Sequence, residues 1–369
     1  MMNQDSLKTA LIVGGGIIGS SIAWRLASKG VSVTLIEAHA AAARASSNSF
    51  GWINATSAKS SDYFELRMQA ITDYRQMLEQ LPADSLAAQS TGFAGSLWWE
   101  IQGSELTDLG TRLHNYGHSI REIGPDEFAK LEPNVANPPE SCLYSEMDGA
   151  AEGVGLTQFF LQQAAAKGAR VLMGVSLDSL LTNNGCVTGA VTSHGKYEAD
   201  VVILATGAAT QKLAKTAGLE LPMNNKRGLI VHTHPVPDVI SCVVNSEDIH
   251  FRQAPDGHIV MGEIFSGGTL GAKPGDTPVS FANELLRRLK NRLPSVEGLA
   301  IERVQLGTRP VPLDGYPAVG MPESLPGLYI VTTHSGITLA PLLGRLVGEE
   351  LVDGKRSTLL NAYHPDRFI

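Results

Sequence analysis

The sequence predicts an α/β fold in which a discontinuous Rossmann-like domain is joined to a second, antiparallel β-rich domain. Three observations predict it. A strand, a glycine turn, a helix and a second strand open the chain between residues 10 and 37. A continuous apolar run, VVILATG at 201–207, reads as a strand buried on both faces, and a further strand–turn–helix unit closes the chain at 328–352. Between these units lie short β-rich segments that a doubly wound domain does not need. A chain of 369 residues is also long for one core, so two domains are expected.

Each element has a local reason. Gly14, Gly16 and Gly19 fill the G-x-G-x-x-G template after the apolar residues 10–13. Gly14 permits the tight turn, Gly16 lets a pyrophosphate approach the backbone, and Gly19 lets helix and strand pack closely. Phosphates then sit at the positive end of the helix dipole. The helix turns Ile18, Ile22 and Leu26 inward and stops at Gly30. Glu37 ends the second apolar run, VSVTLI, where a carboxylate can accept both ribose hydroxyls of an adenosine without a 2′-phosphate. A glycine pattern alone also occurs in plain strand–helix loops. With both strands, the helix and Glu37 in place it indicates a bound dinucleotide, FAD or NAD.

After the alanine-rich turn AHAAAARASS, helical spacing of Phe64, Met68, Ile71, Tyr74 and Leu78 predicts a helix over 62–81 with these residues in the core. A second helix is expected over 155–167, burying Phe159, Phe160 and Leu161. Short strands follow in ARVLMGVSLDSLL and CVTGAVTSHGKY, before the buried strand that turns at Thr206-Gly207. Residues 227–265 are β-rich (GLIVHTHPV, ISCVVN, IHFRQ, HIVMGEIF), and Ala254-Pro255-Asp256-Gly257 predicts a hairpin between the last two. Helix returns at 278–293. A strand at 328–333, the turn HSG and a helix at 338–352 end the pattern. Dehydrogenases that use NAD more often keep the nucleotide domain contiguous, so this layout favours FAD.

Composition narrows the function. Hydrophobic residues are 43% and charged residues 18%, as in a globular protein with a substantial core. The net charge of −8 with scattered basic residues disfavours nucleic acid as a partner. Cys142, Cys186 and Cys242 are far apart and form no metal or disulfide pattern, which fits a reducing compartment. No metal site is expected. The lead 1–8 is polar and the apolar stretch after it is broken by glycines, so neither a signal peptide nor a membrane span is read there, and a cytoplasmic location is expected.

Over essentially its whole length the chain resembles the glycine oxidase branch of the D-amino acid oxidase and sarcosine oxidase family, the DAO family. GGGIIGSSIA with Glu37 resembles the opening FAD motif, which implies cofactor contacts at Gly14, Gly16, Ile17, Ile18, Gly19, Glu37 and Ala38. RASSNSFGWI at 44–53 resembles the family's Arg-Thr-Thr-Ser-Ala-Ala-Ala-Gly segment. It implies FAD contacts at Ala45, Ser46, Ser47, Phe50, Gly51 and Trp52, with Ala45 standing where a hydroxyl residue is usual. ILATG adds Ala205, Thr206 and Gly207, and Leu177 falls on an adenine-side position, with Val175 as the other register. THSGITLAPLLG at 333–344 resembles the segment that wraps the flavin's pyrimidine edge and implies contacts from Thr333, His334, Ser335, Gly336, Ile337 and Thr338. LGTRPVPLDGYPAVG at 306–320 resembles the Gly-x-Arg-Pro segment, whose arginine, here Arg309, binds a substrate carboxylate. This segment contains no cysteine, so the FAD is expected to be non-covalent. Two departures concern the substrate: His334 stands where glycine oxidases have a second arginine, and His250 where they have a tyrosine.

The resemblance implies an FAD-binding domain from 1–58, 148–220 and 300–369, and a substrate-binding domain from 59–147 and 221–299. It also implies removal of a hydride from the α-carbon of a small amino acid or secondary amine, giving an imine that hydrolyses to an oxo acid. The catalytic residues would be Arg309, His334 and His250, and the electron acceptor oxygen or another molecule. Arg309 has a plainer reading as a surface arginine before Pro310, His334 as a hydrogen-bonded turn residue, and His250 as an outer-face strand residue. Trp98-Trp99 is read as core and edge packing and Arg227 as a solvated turn charge. A dehydrogenase of the same fold serving a quinone or protein acceptor, and a non-catalytic flavin-binding subunit, remain as rivals, and homo-oligomer formation is left open.

Overall fold

The computed structural model of the chain describes residues 7–263 and 277–368. The expected strand residues Ile264 and Phe265 and most of the polar lead lie outside the described residues. A six-stranded sheet runs in the order Ala318–Gly320, Leu328–Thr332, Val201–Leu204, Thr9–Val13, Ser32–Glu37, Arg170–Met173. All neighbours are parallel except the first pair. The strand Val201–Leu204 is apolar at every position because both faces are covered. Ala10 and Ile12 join one buried cluster with the helices, and Leu11 and Val13 join another on the opposite face. The strand seen in VVILATG therefore lies beside the opening strand, in register Ile12 to Ile203.

An eight-stranded sheet forms the second layer system. Its order is Ile301–Arg309, Lys226–Thr233, Ile259–Gly262, His250–Gln253, Val243–Asn245, Ser96–Trp98, Cys142–Ser145, Arg121–Ile123. It is antiparallel apart from the junction of Val243–Asn245 with Ser96–Trp98. The helix Pro278–Arg292 packs on it through Ala282, Leu285 and Leu289. Residues 301–309 fall in the segment expected to belong to the nucleotide-binding unit, but they pair along their length with Lys226–Thr233. The alternating pattern of a strand does not say which sheet receives it. The hairpin at Ala254–Gly257 is closed by Ala254 N–H donating to His258 O and Gly257 N–H donating to Ala254 O.

The helices follow their predicted patterns with ends shifted by one or two residues: Ile17–Ser28, Ser61–Glu79, Gly153–Ala166 and Gly336–Asp353. Ser60 caps the second by accepting from Tyr63 N–H. Gly30, at φ +84°, ends the first.

Candidate functional site

The nucleotide end is built on the carboxyl edge of the six-stranded sheet. Gly14 takes φ +112° and lies under Ala205 O, and a Cβ on Gly19 would run into Gly14 O, so strand, turn and helix close on one another only with glycine at both places. Glu37 reaches this turn. Its carboxylate accepts from Gly15 N–H at 2.7 Å and from His39 N–H at 2.9 Å, which fixes it over the motif while leaving lone pairs for other donors. Ala38 follows it at the exposed surface. Val175 donates its N–H to Glu37 O at 2.9 Å and is buried, while Leu177 begins the next strand, so Val175 is the one whose backbone meets Glu37. Ser46 Oγ accepts from Ile17 N–H at 3.0 Å, at the first turn of the opening helix, and Ser47 N–H is turned back to Ala42 O. Ala45 lies instead in the wall of the cavity described below.

Two helix starts meet at this place. Gly336, the first residue of the closing helix, lies against Ile17 and Ile18 of the opening helix. Neither Gly16 nor Ser335, their N-cap residues, supplies a side-chain cap. The positive dipole ends of helices of 12 and 18 residues therefore face the same region. The wall beyond is fixed by Thr338 Oγ1 donating to Trp52 O, Tyr74 OH to Ile337 O at 2.6 Å, and Tyr63 OH to Ser335 Oγ at 2.8 Å. Thr333 Oγ1 accepts from Ser335 N–H, and Ala205 N–H donates to Val13 O, holding Ala205, Thr206 and Gly207 beside the motif. Paired helix starts fit a pyrophosphate at one and the carbonyl edge of a flavin ring at the other. The glycine turn, Ser46, Ala205 and the start of the closing helix, all expected at the FAD, thus meet in one place.

Beside it opens a cavity of about 340 Å³ that collects Arg309, His334 and His250, with Phe50, Gly51 and Trp52 on its floor. Arg309 ends the strand Ile301–Arg309 just before Pro310, and its guanidinium lies over Gly228, where a Cβ would stand 2.9 Å from Nε. It is half-buried. Burial lowers its pKa and Glu263 opposes that, but an arginine stays charged. His334 is open to the cavity yet surrounded by protein. Desolvation first, then Arg309, Arg67, Lys226 and Lys59, pushes its pKa down to about 4. His250 is buried rather than on an outer face, with its ring 4.3 Å from that of Phe50. Burial and then Arg309 hold its pKa well below the usual histidine value. Both imidazoles are therefore neutral at pH 7.

The cavity also holds charges that sequence reading passed over. Arg67 is buried in the helix Ser61–Glu79, donating to Asn54 O at 2.7 Å, Asn54 Oδ1 at 2.9 Å and Ser57 Oγ at 2.9 Å. A cation among Phe64, Ile71 and Tyr74 on an apolar helix face was its signal. Lys226 lines the cavity with Gly228 and Ile230, alternate residues of Lys226–Thr233. Arg227, between them, is exposed on the opposite face, in a strand rather than the expected turn. Trp99 is buried against Phe128, away from the cavity. Asp148 is buried behind Trp52 and accepts from Trp52 Nε1, Thr56, Ser96 and Ser145. Burial dominates those bonds and raises its pKa to about 6.

Comparisons with known proteins agree with this geometry. The family model described as "FAD dependent oxidoreductase", DAO, matches residues 9–350. The chain is 28% identical to the uncharacterized oxidoreductase YurR of Bacillus subtilis, over 97% of this chain and 99% of that protein. It is 25% identical to the glycine oxidase of Geobacillus kaustophilus, over 94% of this chain and 93% of that protein. L-proline dehydrogenase from P. horikoshii superposes with a TM-score of 0.87 at 23% identity, covering 98% of each chain. With the glycine motif, the paired helix starts and the family match in agreement, the chain belongs to the DAO family of FAD-dependent oxidoreductases.

Proposed function

We propose that the chain oxidises the α-carbon of a small amino acid or a secondary amine bearing an α-carboxylate, releasing an imine that water hydrolyses to an oxo acid. The observation that carries this reading is that Arg309 lines one cavity with His334 and His250, two histidines that carry no charge. A guanidinium binds a carboxylate through two charge-assisted hydrogen bonds, and the enclosure that depresses both imidazoles also strengthens that contact. FAD, when bound, supplies the hydride acceptor. The chain's own part is to orient the substrate and to keep its amine unprotonated. Clustered cations do the second, because they disfavour a further positive charge on the amine nitrogen. His334 and His250 act as neutral hydrogen-bonding walls that select the substrate's side chain and N-substituent.

A second reading concerns the acceptor. One relative is named a dehydrogenase and another an oxidase, and both readings share the reductive half-reaction. Anaerobic mixing of the holoenzyme with D-, L- and N-alkyl amino acids tests the proposal: at least one bleaches the flavin. If none does, while dithionite does, the cavity does not serve amino acid oxidation. Reoxidation of the bleached enzyme by oxygen against a quinone dye then assigns the acceptor.

A further inference from the structure

We propose that the preferred substrate is an amine carrying two carboxylates, with Lys226 holding the carboxylate farther from the reacting carbon. The inference rests on Arg309 holding the nearer one. Lys226 and Arg309 are register partners across the antiparallel pair Lys226–Thr233 and Ile301–Arg309. Directly opposite residues on one face have Cβ atoms about 5 Å apart, and like charges in that position destabilise a sheet. Here both face the cavity, and neither makes an ion pair among the described residues. The sheet keeps the two cations together: Gly228, two residues from Lys226, leaves the space in which the guanidinium of Arg309 lies.

Among the described residues, the cavity lining adds further cations to this pair. Lys59 and Arg67 add two more cations to the lining, and all four depress the pKa of His334. Arg67 hydrogen-bonds the neutral acceptors of Asn54 and Ser57, with Asp148 acting on it without a hydrogen bond. Asp314 is the acidic residue of the lining, and it is engaged by Arg367 at 2.8 Å. Glu263 acts on Arg309 from outside the lining. Both histidines are neutral and cannot add or remove charge. A monocarboxylate offsets one cation and leaves Lys226 facing Arg309. A second carboxylate bridging to Lys226 converts the repulsive pair into a two-point clamp. A lysine at the open end, a point charge on a flexible stem, tolerates variation in the distance between the carboxylates.

The experiment compares iminodiacetate with N-methylglycine, which share the secondary amine and one carboxylate, on the holoenzyme. Aspartate against alanine makes the same comparison for a primary amine and shows which amine class the site takes. The expected result is kcat/KM about 10- to 100-fold higher for the dicarboxylate of the favoured class, the range of one charged hydrogen-bonding contact. Lys226→Gln should remove most of that ratio, and Lys226→Arg should restore it. Oxydiacetate and methoxyacetate, which have no amine to oxidise, give the same comparison as dissociation constants from the flavin absorbance. A ratio near one in the unmodified enzyme, or one that survives Lys226→Gln, overturns the proposal even where monocarboxylates bleach the flavin. Failure of every amine to bleach it sinks the α-carbon reading instead, and the non-reacting pair still decides the role of Lys226.

Discussion

Arg309 illustrates what a single residue can and cannot show in sequence. Its identity stood out through the Gly-x-Arg-Pro segment, and Pro310 and Pro312 restrict the backbone that aims it. Its neighbour across the sheet, Lys226, was legible only through the alternation of Lys226, Gly228 and Ile230, and the adjacent Arg227 masked it. Truncating one member of a buried charged pair costs about 2–5 kcal/mol. Arg309→Leu should therefore lower kcat/KM for a carboxylate substrate by roughly 30-fold to several thousand-fold, at about 1.4 kcal/mol per decade. The flavin spectrum should persist, and Arg309→Lys should recover only part of the loss, because an ammonium lacks the planar fork. Near-normal kcat/KM in Arg309→Leu would place the carboxylate anchor elsewhere.

At the scale of elements, what could be read depended on length and on partner. The helices Ser61–Glu79 and Gly153–Ala166 carry several turns of apolar spacing, Val201–Leu204 is apolar throughout and Leu328–Thr332 apolar up to its last residue, so all four were legible. Ser96–Trp98, Arg121–Ile123 and Cys142–Ser145 are three or four residues long and held by distant partners, so no local period marks them. The convergence of two helix starts was implied by the family motifs at opposite ends of the chain, and periodicity alone could not place them together. That pair predicts how the cofactor is held. Cys142 and Cys242 are buried elsewhere and no cysteine lines the cavity, so FAD should be bound by dipoles and hydrogen bonds alone. Acid precipitation should leave the yellow colour in the supernatant. Colour retained by the pellet would mean a covalent link.

For the whole molecule, the enclosed histidines set the response to pH. His118 and His232 are each pushed down to about 4 by burial, and His250, buried as well, lies well below the ordinary value. In the unfolded chain they take up protons near pH 6.5. Between about pH 6.5 and pH 4 the unfolded state binds more protons, so stability falls on acidification. Asp148, raised to about 6, works the other way: it is protonated earlier in the folded state and adds stability as pH falls through 6. With three buried histidines set against the raised carboxyls of Asp148 and Glu132, the Tm of the holoenzyme should drop between pH 7 and pH 5. A level or rising Tm would show that the histidines are already charged in the fold.

The interleaved order of the six-stranded sheet also governs when the protein can fold. Its opening strand, Thr9–Val13, is bordered on one side by Val201–Leu204, which must itself pair with Leu328–Thr332. Closing such long loops precedes any gain from the contacts they bring, which makes high-contact-order sheets slow to form. During synthesis, this strand and glycine turn emerge well before Leu328–Thr332, so their sheet is completed late. The flavin surface matures late for the same reason, since the helix Gly336–Asp353 that lines it follows all six strands of that sheet in the sequence. Until then the apolar edge of the opening strand stays unpaired, a state in which association with other chains competes with folding.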